Sequence, residues 1–277
     1  MSNKRYSNKG VNAAARAQAN AAAEQESKRQ TLIVCAVAAA VVLVAIVLAL
    51  VLGGVDKNNT TDGTTTTTTT TTTSSETTSS ANKNADMAAI KAEINSKAVA
   101  DFVETTETTE YVKLTIKHYG DVIIRLRPDI APITVANFQK LVGDGFYNGL
   151  TFHRIYKGFM MQGGDPKGDG TGGSSTTIKG EFKINGVQND LSHITGVISM
   201  ARRSLPYDSA TSQFFICNAD ASSRLDGSYA AFGYVVAGLD VVLTVSEVEV
   251  TANASGENSK PVEKVYIEKV CFVTPKQ

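Results

Sequence analysis

Phe152–Asp165 reads FHRIYKGFMMQGGD and brings one arginine, one glutamine and a set of large apolar side chains together within fourteen positions. Arg154 lies between apolar neighbours, and the run closes on Gly163 and Gly164, which suit a tight bend. Two short strands joined through Lys157 and Gly158 bring Arg154, Phe159, Met160 and Gln162 close to one another. Taken alone, such a segment also fits an ordinary half-buried hairpin, so its meaning depends on the rest of the chain.

The flanking sequence is rich in short strands. In YVKLTIKHYGDVIIRLRP, Val112, Leu114 and Ile116 share one face, Tyr119 and Gly120 turn the chain, and Val122, Ile124 and Leu126 follow, as in a hairpin with one buried side. Pro132 opens a helix running through Leu141, with Val135, Phe138 and Val142 on one stripe and Gly143 and Gly145 as stops. GVISMA, QFFIC and VEKVYIEKVCFV read as further strands, so the pattern predicts a mainly β domain, a closed antiparallel barrel. Gly168, Gly170 and Gly173 formally satisfy GxGxxG. With no βαβ unit around them and Ser/Thr rather than a helix behind them, they serve a tight loop, not a dinucleotide.

The N-terminal third has another character. Residues 31–55, TLIVCAVAAAVVLVAIVLALVLGGV, hold no charge over twenty-five positions, the length of a single transmembrane helix. A cleaved signal peptide would have a shorter apolar region, so an uncleaved anchor is expected. Residues 1–30 carry six basic side chains against two acidic ones, which places this tail in the cytoplasm and the rest of the chain outside. Residues 56–83 are a Thr/Ser-rich disordered linker, with Thr64–Thr73 unbroken. Met87, Ile90, Ile94, Ala98 and Phe102 recur at near-helical spacing, so 84–108 is a short helical stretch that either extends the stalk or packs on the domain at 109–277.

Composition narrows the chemistry. Formal net charge is zero over 277 residues, so beyond the basic tail the chain is acidic by the same margin, which argues against nucleic acid. Cys35, Cys217 and Cys271 form no zinc spacing or disulfide framework; Cys217 and Cys271 read as free thiols in strand-like contexts. His118, His153 and His193 share no metal-ligand spacing, and neither a metal nor a cofactor is expected.

FHRIYKGFMMQGGD, GDGTGG, GVISMAR, SQFFIC and LDGSYAAFG, in this order, closely resemble the cyclophilin family of peptidyl-prolyl cis/trans isomerases. The resemblance covers roughly residues 109 to 274. It implies an eight-stranded closed barrel capped by two helices, the second near Leu239–Glu247, where β-branched residues leave local propensity ambiguous. It places the catalytic arginine on Arg154 and a substrate-orienting glutamine on Gln162. It implies a proline pocket lined by Phe159, Met160, Phe215, Leu225 and Tyr229. Ala201 and Gln213 fall on positions that contact the residue before the proline, and His153 adjoins the arginine on the substrate-binding side of the carry-over. Arg224 stands where many members have tryptophan, Tyr229 where many have histidine, and Arg202 where asparagine is frequent. The first change implies weak cyclosporin binding, and the last a more basic path beside Ala201.

These expectations define a membrane-anchored, extracytoplasmic, monomeric isomerase acting on proline-containing segments of exported or surface proteins. The competing reading is a tethered module that binds proline segments without turnover, motivated by Arg202 and Arg224.

Overall fold

The computed structural model describes residues 86–277, so the basic tail, the apolar run 31–55 and the linker 56–83 lie outside the described residues. Among the described residues no helix is long and apolar enough to cross a membrane.

The chain begins with a helix over residues 86–93 (α1), then β1 (Phe102–Glu104), β2 (Tyr111–Ile116) and β3 (Gly120–Leu126). Helix α2 (Pro132–Gly143) leads to β4 (Thr151–Phe152), β5 (Arg154–Tyr156) and β6 (Met160–Gly163). After a long loop come β7 (Val197–Met200), β8 (Phe214–Cys217), the one-turn helix α3 (Ser222–Leu225) and β9 (Ala231–Ala237). Helix α4 (Leu239–Val245), the β10 (Val250–Ala252) and β11 (Asn258–Pro261) hairpin, and β12 (Val265–Pro275) complete the domain. The fold is mainly β with a few helices, all strand pairs being antiparallel.

The main sheet has ten strands in the order β1-β12-β2-β3-β9-β7-β8-β6-β5, with β4 branching onto β12. This corrects the expected closed eight-stranded barrel. Val265 and Tyr266 of β12 pair with Phe152 and Thr151 of β4, whereas β5 pairs with β6, and His153 between them belongs to neither ladder. Only the isolated bridge Thr151↔Asp165 carries the hairpin register past the gap. The physical cause lies one step further along the partner strand, in Gly164, which the register sets against Phe152: its φ of +80° leaves the extended region, and a Cβ there would meet the Ser212 carbonyl oxygen at 2.5 Å. A strand that departs from extended geometry cannot continue a regular ladder.

In β2, buried Val112, Leu114 and Ile116 alternate with half-buried Tyr111, Lys113 and Thr115, as the period-two pattern requires. Val122, Ile124 and Leu126 of the neighbouring β3 join the buried three, with Phe138, Val135 and Phe214, in the main core. Helix α2 starts at Ala131, which offers no side-chain cap, and the buried carboxylate of Glu181 supplies one from about fifty residues downstream. It accepts from the Ile133 and Thr134 amides at 3.0 and 2.8 Å and from the Thr134 hydroxyl at 2.6 Å.

The sheet is also covered on its other face. Ile123, Tyr234, Val236 and Val273 form a second core with Ile90 of α1 and Phe102 of β1. Strand β9 is therefore buried along all seven residues, a continuous apolar run rather than an alternating one. Glu93 accepts from Arg125 at 2.7 Å and from the Tyr234 hydroxyl at 2.6 Å, and β1 pairs with the end of β12. Over its described residues, the stretch expected either to extend a stalk or to pack on the domain does the latter. Ile90 is 3% exposed, so Ile90→Ala is expected to lower the unfolding free energy by about 2–4 kcal/mol. Urea denaturation measures this, and an unchanged midpoint would mean that α1 adds nothing to the fold.

Candidate active site

The β5–β6 hairpin sets Arg154 directly opposite Gln162. Arg154 Nη1 donates to Gln162 Oε1 at 3.2 Å and approaches Met160 Sδ at 3.9 Å. Gln162 Nε2 donates to Gln213 Oε1 at 2.9 Å, and Gln213 Nε2 in turn donates to the carbonyls of Gly172 and Gly170 at 2.7 and 3.1 Å. Two side chains of one hairpin and a third about fifty residues downstream thus form one polar line running from the arginine to the glycine loop. That loop is shaped by Asp165, whose carboxylate accepts from the amides of Lys167, Asp169 and Gly170.

Beside this line, Met160, Phe215, Cys217, Ala221 and Leu225 form a small apolar cluster separate from the two cores, with Phe159, Ala201 and Tyr229 packed against it. All six apolar residues expected at the site are therefore in one place; Cys217 and Ala221 are additional members. Phe215 and Tyr229 meet edge-to-face at 5.8 Å. Burial pushes the Cys217 thiol up to about 12, so it is a packing group rather than a nucleophile. A cavity of about 430 Å³ adjoins the cluster and is bounded by Gln162, Ala201 and Gln213 on one side and Gly170–Ser174 on another.

The matching family model, described as cyclophilin type peptidyl-prolyl cis-trans isomerase/CLD, aligns with residues 111–271, more than half of the chain. The chain belongs to this cyclophilin family. Peptidyl-prolyl cis-trans isomerase B of Bacillus subtilis is 45% identical over 125 residues, 45% of this chain and 82% of that protein. A peptidyl-prolyl cis-trans isomerase of Synechococcus elongatus is 46% identical over 114 residues, 41% of this chain and 72% of that one. The crystal structure of a Cryptosporidium parvum cyclophilin in the presence of the dipeptide Ala-Pro superposes with a TM-score of 0.52 at 29% identity, over 58% of this chain and 98% of that chain. The enzymatic activity is accordingly that of a peptidyl-prolyl cis-trans isomerase.

Three charged residues of the cyclophilin domain take positions that their place in the sequence does not reveal. Glu257, in the β10–β11 loop, accepts from Arg154 Nε at 2.6 Å and from Nη2 at 2.7 Å, a two-pronged ion pair across 103 residues. The Arg154 guanidinium holds the Glu257 carboxyl down at about 2. Nothing in GENSKP singles out this glutamate, because its partner lies on another hairpin. Arg224 stacks its guanidinium 4.2 Å from the Phe159 ring centroid, a cation–π contact on the face of the apolar cluster. Arg202, expected to make the path beside Ala201 more basic, does line that cavity, with Arg203, and is also tied into the structure. Its Nε and Nη2 donate to the Ser228 carbonyl and its Nη1 to those of Arg203 and Ser204, with its guanidinium between the rings of Tyr229, Phe182 and Tyr207.

Neither His193 nor His153 hydrogen-bonds the arginine, although His153 is close enough to feel the Arg154 charge. His193 contacts Asp226 at 2.8 Å and Ser199 at 2.9 Å, the connectivity of a hydrolytic triad, but His193 is 1% and Ser199 0% exposed, so this Ser reaches no substrate. His153 lines a separate cavity of about 250 Å³ with Thr151, Asp169, Asn253 and Lys260, and both its ring nitrogens are buried without a hydrogen-bond partner. Burial lowers its pKa.

For His153 the sign is set by that lowering: the unfolded chain binds a proton near pH 6.5 that the folded protein resists. Stability is therefore full above about pH 6.5 and declines as the pH falls below it. Between about pH 7.5 and 5.5 the urea midpoint is expected to drop, and to drop less in His153→Leu. Identical pH dependence in the two proteins would show that this imidazole contributes nothing.

Proposed function

We propose that Arg154 catalyses the isomerisation, stabilising the twisted X-Pro amide of exported or surface proteins while Gln162 orients the chain. Rotation about an X-Pro bond destroys amide resonance at a barrier of roughly 18–20 kcal/mol and breaks no covalent bond, so the reaction calls for no nucleophile. In the twisted state the prolyl nitrogen becomes pyramidal and gains a lone pair. A guanidinium donor aimed at that nitrogen stabilises the transition state more than either planar ground state. Arginine suits the task because it stays charged and holds its donors in a rigid plane.

The observation that carries this reading is Arg154 Nη1 set at the edge of the apolar cluster, 3.9 Å from Met160 Sδ and braced by Gln162. Met160, Phe215 and Leu225, with Phe159 and Tyr229 packed against them, form an apolar surface of the right character for a pyrrolidine ring. Ala-Pro, the dipeptide present with the related Cryptosporidium parvum cyclophilin, has the chemistry this surface would take. Ala201 and Gln213, on the adjoining cavity, would contact the residue before the proline, and His153 would act only through the strand that follows it, which carries Arg154. Cyclosporin would bind weakly, since Arg224 offers no indole at the rim. The alternative of a binding module without turnover keeps Arg202 only as a charge on the cavity wall, because backbone carbonyls engage its Nε, Nη1 and Nη2.

In a protease-coupled assay on an X-Pro peptide, Arg154→Ala is expected to lower kcat/KM on the order of 100-fold, the loss of one charge-assisted contact to the transition state. Turnover equal to that of the unaltered chain would remove Arg154 from the mechanism.

The apolar run 31–55 and the basic tail before it support a single-pass anchor with the isomerase domain, a monomer, outside the membrane. Protease treatment of intact cells is expected to release the domain at the Thr-rich linker. A domain that survives until the cells are lysed would reverse the orientation.

A further inference from the structure

We infer that Glu257 is a positioning residue for the isomerisation, fixing which edge of the Arg154 guanidinium faces the prolyl nitrogen. The inference rests on the assignment of Arg154 as the catalytic donor. An arginine side chain is long and rich in rotamers, and its planar head presents three different edges. Here the edge made by Nε and Nη2 is occupied, at 2.6 and 2.7 Å, by the two oxygens of one carboxylate. Gln162 Oε1 takes one hydrogen of Nη1. Two anchors on different sides of a rigid plane define both its tilt and its rotation. What they leave uncommitted is the outer hydrogen of Nη2 and, apart from its weak contact with Met160 Sδ, the second hydrogen of Nη1.

Glu257 is itself held by its own loop. The Asn253 side-chain oxygen accepts from the Ser255 and Glu257 amides at 2.9 and 3.1 Å, and the Asn253 amide donates to the Glu257 carbonyl at 2.8 Å. Asn253 Nδ2 donates to the Ser259 hydroxyl at 3.1 Å, and Ser259 is fully buried. Gly256 takes φ of +81°, which turns the chain tightly enough to bring Glu257 back over β5. The side chains of Arg154 and Glu257 are 31% and 29% exposed, so their attraction is only partly screened by water. A donor already aimed needs no reorganisation at the moment of reaction, which is where such a contact raises kcat rather than binding.

A contrary role is available to the same geometry: a carboxylate that blocks the guanidinium would have to leave before catalysis, and its removal would speed the enzyme. The two roles differ in sign. Using the full chain and an X-Pro peptide, Glu257→Gln is expected to lower kcat about 10-fold with KM little changed, because orientation and not substrate contact is lost. Glu257→Asp, which keeps the carboxylate, is expected to recover part of that loss. With Arg154 replaced by Ala, adding Glu257→Gln is expected to change nothing further, since a positioning residue acts only through its partner. The Arg154 Nε–H resonance is expected to exchange slowly in the unaltered protein and to lose that protection in Glu257→Gln, while the urea midpoint shifts little. A Glu257→Gln enzyme as active as the parent, or more active, overturns the inference. Full activity in Arg154→Ala would instead overturn the catalytic assignment beneath it, so the two failures are distinguishable.

Discussion

The register of one hairpin sets the geometry of the site. Because β5 and β6 pair antiparallel with Arg154 opposite Gln162, a charged donor and a polar brace arrive on the same side of the sheet, with Met160 beside them. Side chains on a pleated strand alternate faces, so a shift of one residue would send the guanidinium to the other face. The pairing continues into β8, where Gln162 faces Phe215, and from there into β7. The apolar surface and the polar line are therefore two products of the same ladder.

That ladder needs a rigid support, and it receives one from both faces of the sheet. One face closes over Phe138, Phe214 and Phe232, with the Phe138 ring 5.7 and 5.1 Å from the other two. The other is covered by α1 and β1, with Glu93 bound to Arg125 and Tyr234. Burial on both sides makes β9 apolar throughout and puts its neighbours β3 and β7 at the centre of the molecule. The loops that carry Glu257 and the glycines, and the one-turn helix α3 that carries Arg224, lie outside these layers. Small displacements of such loops cost little in stability yet alter what reaches the arginine.

Electrostatics around the arginine are balanced rather than simply positive. Arg154 is paired with Glu257, Arg224 rests on Phe159, and Arg202 serves backbone carbonyls. A free guanidinium would lose in orientation what it gains in charge; a doubly anchored one keeps its charge and gives up its freedom. The chemistry of a twisted amide favours the second arrangement, since the charge to be met is small and its direction is fixed.

Much of this was legible without coordinates wherever the signal is local. Val112, Leu114 and Ile116 declare a one-sided strand by alternation, Pro132 opens a helix because its ring presets φ, and Gly163–Gly164 mark a bend. The apolar residues of the site were legible through five motifs whose order and spacing carry the family pattern. The tertiary structure alone decided three matters. The ring is interrupted at His153, because Gly164, set against the neighbouring Phe152, leaves extended geometry in order to pass the Ser212 carbonyl. The helix at 86–93 covers the sheet, because Ile123 and Tyr234 present apolar area on a face that alternation in β2 and β3 alone marks as solvent. Glu257 reaches Arg154, because two hairpins about a hundred residues apart are brought together by β12 and β4. Local pattern determines which face of an element is apolar; only the assembled chain determines what covers that face and which distant charge meets which.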